Sequence, residues 1–280
     1  MNQLIVFFGG IGDTVLFAPS VKQLSKRGDI TFVGYPERIV LLKEMSWVKR
    51  VYSPEQVEFE SIFSTPKEKL IEFLSTFDIA YLFLRQTGKA TEVVKQCGIK
   101  EVITAPGIPP EDWKSHASEY YLSLLGLERE EEEFLLPILP SEQHNKVVIH
   151  PGSGSQKKNF PLDFFAELTI HFQLKGREVA WCVGPAENWI KPPKGVEKLD
   201  SLPLVELARF LRGASLYIGN DSGISHIAGA LGIPTIVLFK STNPNVWKPL
   251  GPQVFTFLEE PNLFKNFICK CEDILSNLSN

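Results

Sequence analysis

The chain has 280 residues with a formal net charge of −4, and 44% of its residues are hydrophobic and 22% charged. These proportions are ordinary for globular proteins and exclude a disordered or fibrous chain, while the length suggests two domains. The weakly acidic charge excludes a surface that attracts nucleic acid, because such surfaces need concentrated lysine and arginine.

The first residues carry no basic segment of the kind that opens a signal peptide, and glycines and Asp13 interrupt the apolar stretch over residues 4–21. We therefore expect a cytoplasmic protein without a membrane span. Its four cysteines are too few and too scattered for a disulfide framework or a four-ligand zinc site. Cys269 and Cys271 are expected to be partly buried thiols on a helix.

An apolar run opens the first half of the chain, as is typical of a strand buried on both faces of a parallel sheet. Strands are predicted over residues 4–8, 30–33, 48–52, 79–84 and 101–104, and helices over residues 15–26, 40–44, 67–75 and 90–96. This alternation of strands and helices predicts a doubly wound, Rossmann-like α/β domain.

A helix predicted over residues 113–127 is followed by an acidic run at residues 128–133 and then by several prolines. The acidic run is interpreted as solvated surface, and the proline-containing stretch as an interdomain linker. The first domain is therefore predicted to be residues 1–140.

The α/β pattern then restarts, which predicts a second Rossmann-like domain over residues 141–262. Its strands are predicted over residues 146–150, 178–183, 216–218 and 235–239, and its helices over residues 161–175, 204–212 and 222–231. Gly176 is placed to end a helix in a left-handed conformation. Residues 263–280 carry apolar side chains at helical spacing, so we expect a C-terminal helix that packs at the domain junction.

Gly10 and Gly12 belong to a turn that follows the first strand, at the edge where α/β sheets bind ligands. The turn resembles the glycine-rich fingerprint of dinucleotide-binding domains, but Val15 occupies the position of its third glycine. Asp13 occupies the helix N-terminus where a pyrophosphate would lie. Exposed N–H groups and the helix dipole favour its ionised form, so Asp13 is either a proton acceptor or an ordinary helix N-cap.

The loop over residues 150–161 combines glycines, Ser153, Ser155 and two lysines directly before a helix, and Lys158 is the second of these lysines. These features suit a cluster of anionic oxygens and predict a diphosphate-binding loop, although a flexible surface loop is the alternative. The spacing of the glycines is not that of a Walker A loop.

The loop over residues 219–226 joins a buried strand to a helix of small residues. Ser222 and Gly223 are expected to present backbone N–H groups to an anion, and His226 is either a core histidine or part of this site. Two such loops at strand ends predict the two halves of one diphosphate site.

In order and spacing these motifs resemble those of glycosyltransferase family nine, the ADP-heptose:lipopolysaccharide heptosyltransferases. The family's Gly-x-Ile-Gly-Asp turn is matched at residues 10–13, its His-Pro-Gly-Ser loop ending in Lys-x-Trp-Pro at residues 150–153 and 158–161, and its Asp-Ser/Thr-Gly-x-Ser-His segment at residues 221–226. Phe160 replaces the tryptophan. The family's Phe-Gly-Pro-Thr-Asp-Pro stretch is matched at residues 239–244 with three positions changed, the first of them Lys240.

The resemblance implies an α/β fold of the GT-B type, with two Rossmann-like domains facing a central cleft. It places the acceptor on the first domain, with Asp13 as general base and Gly10 and Gly12 in the acceptor-side loop. Glu197 is a candidate ribose contact. The donor phosphates would be bound by Ser153, Ser155, Lys158, Asp221, Ser222, Gly223 and His226.

The activity that the resemblance implies is inverting transfer of a heptose or related sugar from an ADP-sugar to a lipid-linked acceptor of the lipopolysaccharide inner core, at the inner membrane face. The sequence contains no Asp-x-Asp pair suited to a metal–nucleotide site, so we expect no metal or other cofactor. Two alternatives stay open: an NAD(P)-dependent oxidoreductase that uses the first glycine turn, and a non-catalytic sugar-nucleotide-binding module.

Overall fold

The computed structural model describes residues 1–258 and 263–277 of the chain. The chain divides into two compact units, Met1–Glu131 and Glu132–Asn280. Each unit contains one parallel sheet whose strands alternate with helices along the chain, as the sequence predicted.

The first unit has five strands: β1 (Asn2–Phe7), β2 (Asp29–Val33), β3 (Arg50–Tyr52), β4 (Ile79–Phe83) and β5 (Glu101–Ala105). Its helices are α1 (Ile11–Ser25), α2 (Pro36–Glu44), α3 (Glu68–Leu74), α4 (Gly88–Gln96) and α5 (Ala117–Leu124), with 3₁₀ turns at Glu55–Val57 and Phe59–Phe63. The strand order is β3-β2-β1-β4-β5. Strand β1 lies in the middle of the sheet and is buried after its first residue, which explains the apolar run that begins at Leu4.

Helix α1 begins at Ile11, four residues before the predicted start. The reason is local, because the Asp13 carboxylate accepts a hydrogen bond from the Gly10 N–H and so caps the first turn. The helix continues through Pro19 to Ser25.

Helix α5 is shorter than predicted and begins at Ala117. The His116 side chain accepts a hydrogen bond from Ser118 N and thereby caps the helix. Tyr121 on this helix packs against the rings of Phe17 on α1 and Phe7 on β1, with centroid distances of 5.0 and 5.9 Å. Aromatic side chains therefore hold α1 and α5 on the same region of the sheet.

The stretch predicted as a linker is packed against the second unit. The side chains of Leu136 and Ile138 are buried, and Leu136 N donates to Ala230 O at 2.7 Å. The division between the units accordingly falls after Glu131, upstream of the predicted boundary after residue 140.

The second unit has six strands: β6 (Val147–His150), β7 (Val179–Val183), β8 (Glu197–Asp200), β9 (Leu216–Asn220), β10 (Thr235–Phe239) and β11 (Val254–Leu258). Its helices are α6 (Leu162–Leu174), α7 (Leu204–Arg212), α8 (Gly223–Ala230), α9 (Pro244–Trp247) and α10 (Leu263–Asn277), with 3₁₀ turns at Gln156–Lys158 and Pro185–Glu187. The strand order is β11-β10-β9-β6-β7-β8. Strands β7 and β8 run outward on one side of β6, and strands β9, β10 and β11 run outward on the other, which is the doubly wound Rossmann order.

Strands β8 and β11, the two edge strands of this sheet, were not predicted from the sequence. In β8 only Leu199 is buried, so the strand lacks an apolar run. Helix α6 does end as predicted, with Gly176 at a φ of +72° in the left-handed region.

Helix α10 packs on the core of the second unit. Phe267 and Cys271 are fully buried there, in the same apolar cluster as Phe165 and Trp181. Cys269 is exposed, so the two helix thiols, both expected to be partly buried, lie in opposite environments. Leu278, the last residue of the predicted apolar pattern, lies outside the described residues. Within the described ranges, no helix is long and apolar enough to cross a bilayer.

Candidate functional site

The second sheet reverses its strand order between β6 and β9, and the loops that follow these two strands lie side by side. In open α/β sheets this reversal point at the carboxyl edge is where ligands bind. Asn220 at the end of β9 ties the loops together, since its Nδ2 donates to Pro151 O at 2.7 Å and its Oδ1 accepts from Phe160 N at 3.0 Å. The two loops predicted to form one site are therefore joined.

Lys158 is the last residue of the 3₁₀ turn Gln156–Lys158 and lies beside the start of α8. Its Nζ donates to Oδ2 of Asp221 at 2.7 Å, and Thr242 Oγ1 donates to the same oxygen at 2.6 Å. The Asp221 side chain is 5% exposed and that of Lys158 is 32% exposed, so the carboxylate is buried and the ammonium group reaches solvent. Nε2 of His226 lies 3.8 Å from the other Asp221 oxygen. The aspartate thus holds a cation at the mouth of the site.

Ser222 caps α8, and its hydroxyl oxygen accepts a hydrogen bond from Ser225 N at 3.3 Å. The first backbone N–H groups of a helix have no acceptor within the helix, so those of Gly223 and Ile224 are available to an anion. Helix α8 packs so closely against Leu250 that a Cβ on Gly229 would overlap the Leu250 carbonyl oxygen.

Ser153 shapes its own loop. Its Oγ lies 2.8 Å from the Ser155 carbonyl oxygen and 2.5 Å from Asn159 Oδ1, and it accepts from Ser155 N at 3.2 Å. The loop is consequently folded on itself before the 3₁₀ turn Gln156–Lys158 presents its lysines.

A buried acid that the sequence analysis missed lies beneath these loops. Glu187 Oε2 is 3.0 Å from His150 Nε2 and accepts from Gly184 N at 3.1 Å. Burial alone would raise the pKa of Glu187, but the hydrogen bonds from His150 and from the Gly184 N–H together hold it below its usual range. The Glu187 carboxylate also fills the space where a Cβ of Gly152 would lie, which explains the glycine at that loop position.

Glu197 is not brought to these loops. It opens the edge strand β8, level with Ala180 on β7, and its carboxylate accepts from Lys146 Nζ at 2.6 Å. His150, where the loop begins, lies two positions further along the strands. The glutamate that does reach the loop after β6 is Glu187, which was hard to find because only the strand order shows its proximity.

In the first unit the candidate residues follow β1. Asp13 is half-buried in the first turn of α1, where its Oδ2 accepts from Gly10 N at 2.8 Å, and Gly12 lies in the same turn. A Cβ on Gly9 would overlap the Phe7 ring, so the chain passes very close to β1 here. Arg38 was not predicted: it donates to Gly9 O at 3.1 Å while its guanidinium lies 4.2 Å above the ring centre of Tyr35.

Among residues 1–258 and 263–277, no three histidine, cysteine, aspartate or glutamate side chains are grouped so that they could hold a metal ion. All four cysteines are free thiols.

The family model described as Glycosyltransferase family 9 (heptosyltransferase) matches residues 111–272, more than half of the chain. The chain belongs to glycosyltransferase family 9. The family resemblance stated from the three loops is thereby confirmed, and the matched range contains both loops of the second unit.

Two curated relatives of this family 9 chain are lipopolysaccharide heptosyltransferases. Heptosyltransferase 3 of Escherichia coli K12 is 29% identical over 123 residues, 40% of this chain and 35% of the relative. Heptosyltransferase 1 of Pseudomonas aeruginosa is 33% identical over 104 residues, 35% of this chain and 29% of the relative. The chain therefore matches well under two thirds of the length of either protein.

Solved structures resemble the chain over nearly its full length. A family 9 glycosyltransferase from Veillonella parvula has a TM-score of 0.80 at 14% identity and covers 99% of this chain and 97% of its own. Heptosyltransferase II of E. coli has a TM-score of 0.78 at 15% identity, with full coverage of both chains. E. coli WaaC, solved with ADP, has a TM-score of 0.72 at 18% identity and covers 98% and 100%. At these identities the likeness shows the fold, and it confirms the predicted α/β fold of the GT-B type.

Proposed function

We propose that this family 9 chain is an inverting glycosyltransferase that moves a heptose, or a related sugar, from an ADP-sugar to an acceptor of the lipopolysaccharide inner core. The proposal is supported by family membership and by the names of the curated relatives, which are lipopolysaccharide heptosyltransferases. The observation that carries it is the convergence of Lys158 and the α8 N-terminus at the reversal point of the second sheet.

The donor diphosphate binds, in this proposal, between the loop after β6 and the start of α8. The N–H groups of Gly223 and Ile224 and the positive end of the helix dipole suit its oxygens. Lys158 supplies the positive charge and is held in place by Asp221. Ser153, Ser155 and His226 complete the predicted donor site, Ser153 through the folding of its loop and His226 beside Asp221.

Asp13 acts as the general base in this proposal. It takes the proton of the acceptor hydroxyl as that oxygen attacks the anomeric carbon, and the bond from that carbon to the donor phosphate breaks. The Gly10 N–H bond and the α1 dipole favour the ionised carboxylate that the base must start from.

Negative charge develops on the departing diphosphate, and oriented donors stabilise such charge without reorganising. Lys158 and the α8 N-terminus supply these donors, so we propose that transfer needs no metal ion. The relatives and structures named above are glycosyltransferases, and nothing in them favours the oxidoreductase or the non-catalytic module.

The acceptor in this proposal is a lipid-linked sugar, and the protein works at the inner membrane face without inserting. The lipopolysaccharide acceptor is supported by the names of the curated relatives.

The testing experiment measures thermal stability with ADP, UDP and GDP and with their sugars, followed by a transfer assay on lipopolysaccharide acceptors that lack heptose. A ligand that binds only the folded state raises Tm in proportion to its affinity and concentration. We expect ADP and ADP-heptose to raise Tm. Stabilisation by UDP or GDP and not by ADP would contradict the proposed donor and leave the fold assignment standing.

A further inference from the structure

A chain of buried polar groups connects Glu187 to the first turn of α8. His150 stands between them, with Nε2 3.0 Å from Glu187 Oε2 and Nδ1 3.1 Å from Ser222 Oγ. Glu187, His150 and Ser222 are 7%, 3% and 7% exposed. A carboxylate only accepts hydrogen bonds, so Nε2 of His150 carries a proton, and in the Nε2–H tautomer Nδ1 is an acceptor.

The serine and tyrosine hydroxyls of this buried polar network donate to acceptors within the network. Ser225 Oγ donates to Asn220 O at 2.6 Å, and its oxygen lies 3.1 Å from both Ser222 Oγ and Tyr217 Oη. Tyr217 Oη is also 3.3 Å from His150 Nδ1, and burial raises the pKa of Tyr217 far above its usual range, so it keeps its proton. Ser222 Oγ is nearer to His150 Nδ1 than Tyr217 Oη is, and Tyr217 Oη is nearer to Ser225 Oγ than to Nδ1, so Ser222 donates to His150 Nδ1 and Tyr217 donates to Ser225 Oγ.

The Ser222 hydroxyl is consequently held inward, toward β6, and away from a ligand at the start of α8. Its oxygen still caps the helix by accepting from Ser225 N. The direction of the Gly223 and Ile224 N–H groups follows from where this cap is anchored.

We propose that Glu187 is a positioning residue for the donor diphosphate, acting through His150 on Ser222 and so aiming the first N–H groups of α8. The inference rests on the proposed function, because it concerns the same donor site. Gly152 supports it from the other side of the site: the carboxylate can reach His150 only where that loop position lacks a Cβ. The buried pair of Glu187 and His150 thus fixes the position of both the loop after β6 and the start of α8.

The first test reads the histidine ring directly. Nitrogen-15 NMR of the histidine side chains, with His150 assigned through a His150→Gln variant, should show the Nε2–H tautomer in the unliganded protein. Glu187→Leu removes the acceptor, and a mixture of tautomers is expected. An Nδ1–H tautomer for His150 in the unsubstituted protein would overturn the inference whatever ADP does.

The second test is a double-mutant cycle on ADP affinity, measured by calorimetry. Glu187→Leu should weaken ADP binding about tenfold in the otherwise unchanged protein and less than about twofold in a Ser222→Gly background, because the effect passes through Ser222. Glycine is used at 222 since it caps helices nearly as well as serine. Equal losses in the two backgrounds would mean that Glu187 has only a general structural role, and would overturn the inference.

Two further variants keep the cycle interpretable. Glu187→Gln keeps an acceptor oxygen for the Nε2 proton, so it should retain the tautomer and bind ADP within about threefold. Glu187→Ala, which removes the acceptor and adds no bulk beside Gly152, replaces Glu187→Leu in the cycle if that variant does not fold. Glu178→Gln is the matched control, because its side chain is 77% exposed and pairs only loosely with Lys146, at 3.5 Å. Failure of the unsubstituted protein to bind any of ADP, UDP and GDP would overturn the proposed function together with this inference. ADP binding with an additive cycle would overturn this inference alone.

Discussion

Lys158→Ala should weaken ADP binding by more than the loss of one contact. A charge-assisted hydrogen bond contributes about 1.5–3 kcal/mol, which is about 10- to 150-fold in Kd. The substitution also leaves Asp221 facing the diphosphate without its cation, and this carboxylate is 5% exposed. Two like charges roughly 5 Å apart at an effective dielectric constant of about 20 repel by about 3 kcal/mol. We therefore expect a loss at or above the upper end of the first range.

The loss of affinity caused by repulsion from Asp221 can be separated from the loss of the lysine contact with a second substitution. Asp221→Asn removes the charge and keeps an oxygen that can accept from Thr242, so Lys158→Ala/Asp221→Asn should bind ADP more tightly than Lys158→Ala alone. Calorimetry at one fixed ionic strength measures both, because exposed charges are screened by salt. Lys175→Ala, an exposed lysine at the end of α6, is the control and should leave Kd unchanged. If Lys158→Ala bound ADP normally, or if the double variant bound no better than the single one, the placing of the diphosphate beside Lys158 and Asp221 would be wrong.

Four other outcomes follow from the same geometry. Asp13→Asn should lower kcat by about 10²–10⁴-fold, as expected for loss of a general base, with ADP affinity nearly unchanged; a large change in ADP affinity would refute the role. Because the folded-state pKa of Glu187 is lowered, its ionisation stabilises the fold above the unfolded value of about 4.3 and that stability is lost as pH falls through the folded pKa. Thermal melts of Glu187→Gln should consequently show a smaller loss of Tm below about pH 4.3. Transfer should survive EDTA and gain nothing from added Mg²⁺. Cell fractionation should release the protein from membranes with salt or carbonate, and resistance to both would contradict peripheral attachment.

Strands were predicted best where burial on both faces of the sheet requires a continuous apolar run. Strands β1 and β10 were found within two residues of their observed bounds for this reason. Strand β8 was missed because an edge strand buries one side chain in four, and its sequence of Glu, Lys, Leu and Asp resembles a loop. The start of α1 was predicted too late because an aspartate before an apolar run usually marks the N-cap position. Asp13 instead lies inside the first turn of the helix.

Within the candidate site, local sequence pointed to the loops and missed what supports them. Lys158 and Ser222 were predicted because lysine and serine beside glycines at a helix start have a recognisable chemistry. Glu187 follows a different strand and has no such neighbours; it meets His150 only because β7 lies next to β6 in the sheet. A sequence can be searched for such an acid once the strand order is known, by examining the loop after the adjacent strand.

The proposed function gives the two units opposite charges at the same position of the same kind of fold, and the helix caps account for the difference. After β1, the first turn of α1 already contains a carboxylate, since Asp13 accepts from the Gly10 N–H and uses the positive helix end for itself. A phosphate there would meet a like charge. After β9, the cap of α8 is the neutral Ser222, whose hydroxyl is turned inward by His150, so the helix end keeps its attraction for an external anion. In the proposed function, one ionised side chain therefore distinguishes the helix start that acts as a base from the one that binds a diphosphate. Exchanging the two cap types would be expected to abolish both roles rather than swap them, because neither site has the other's supporting residues.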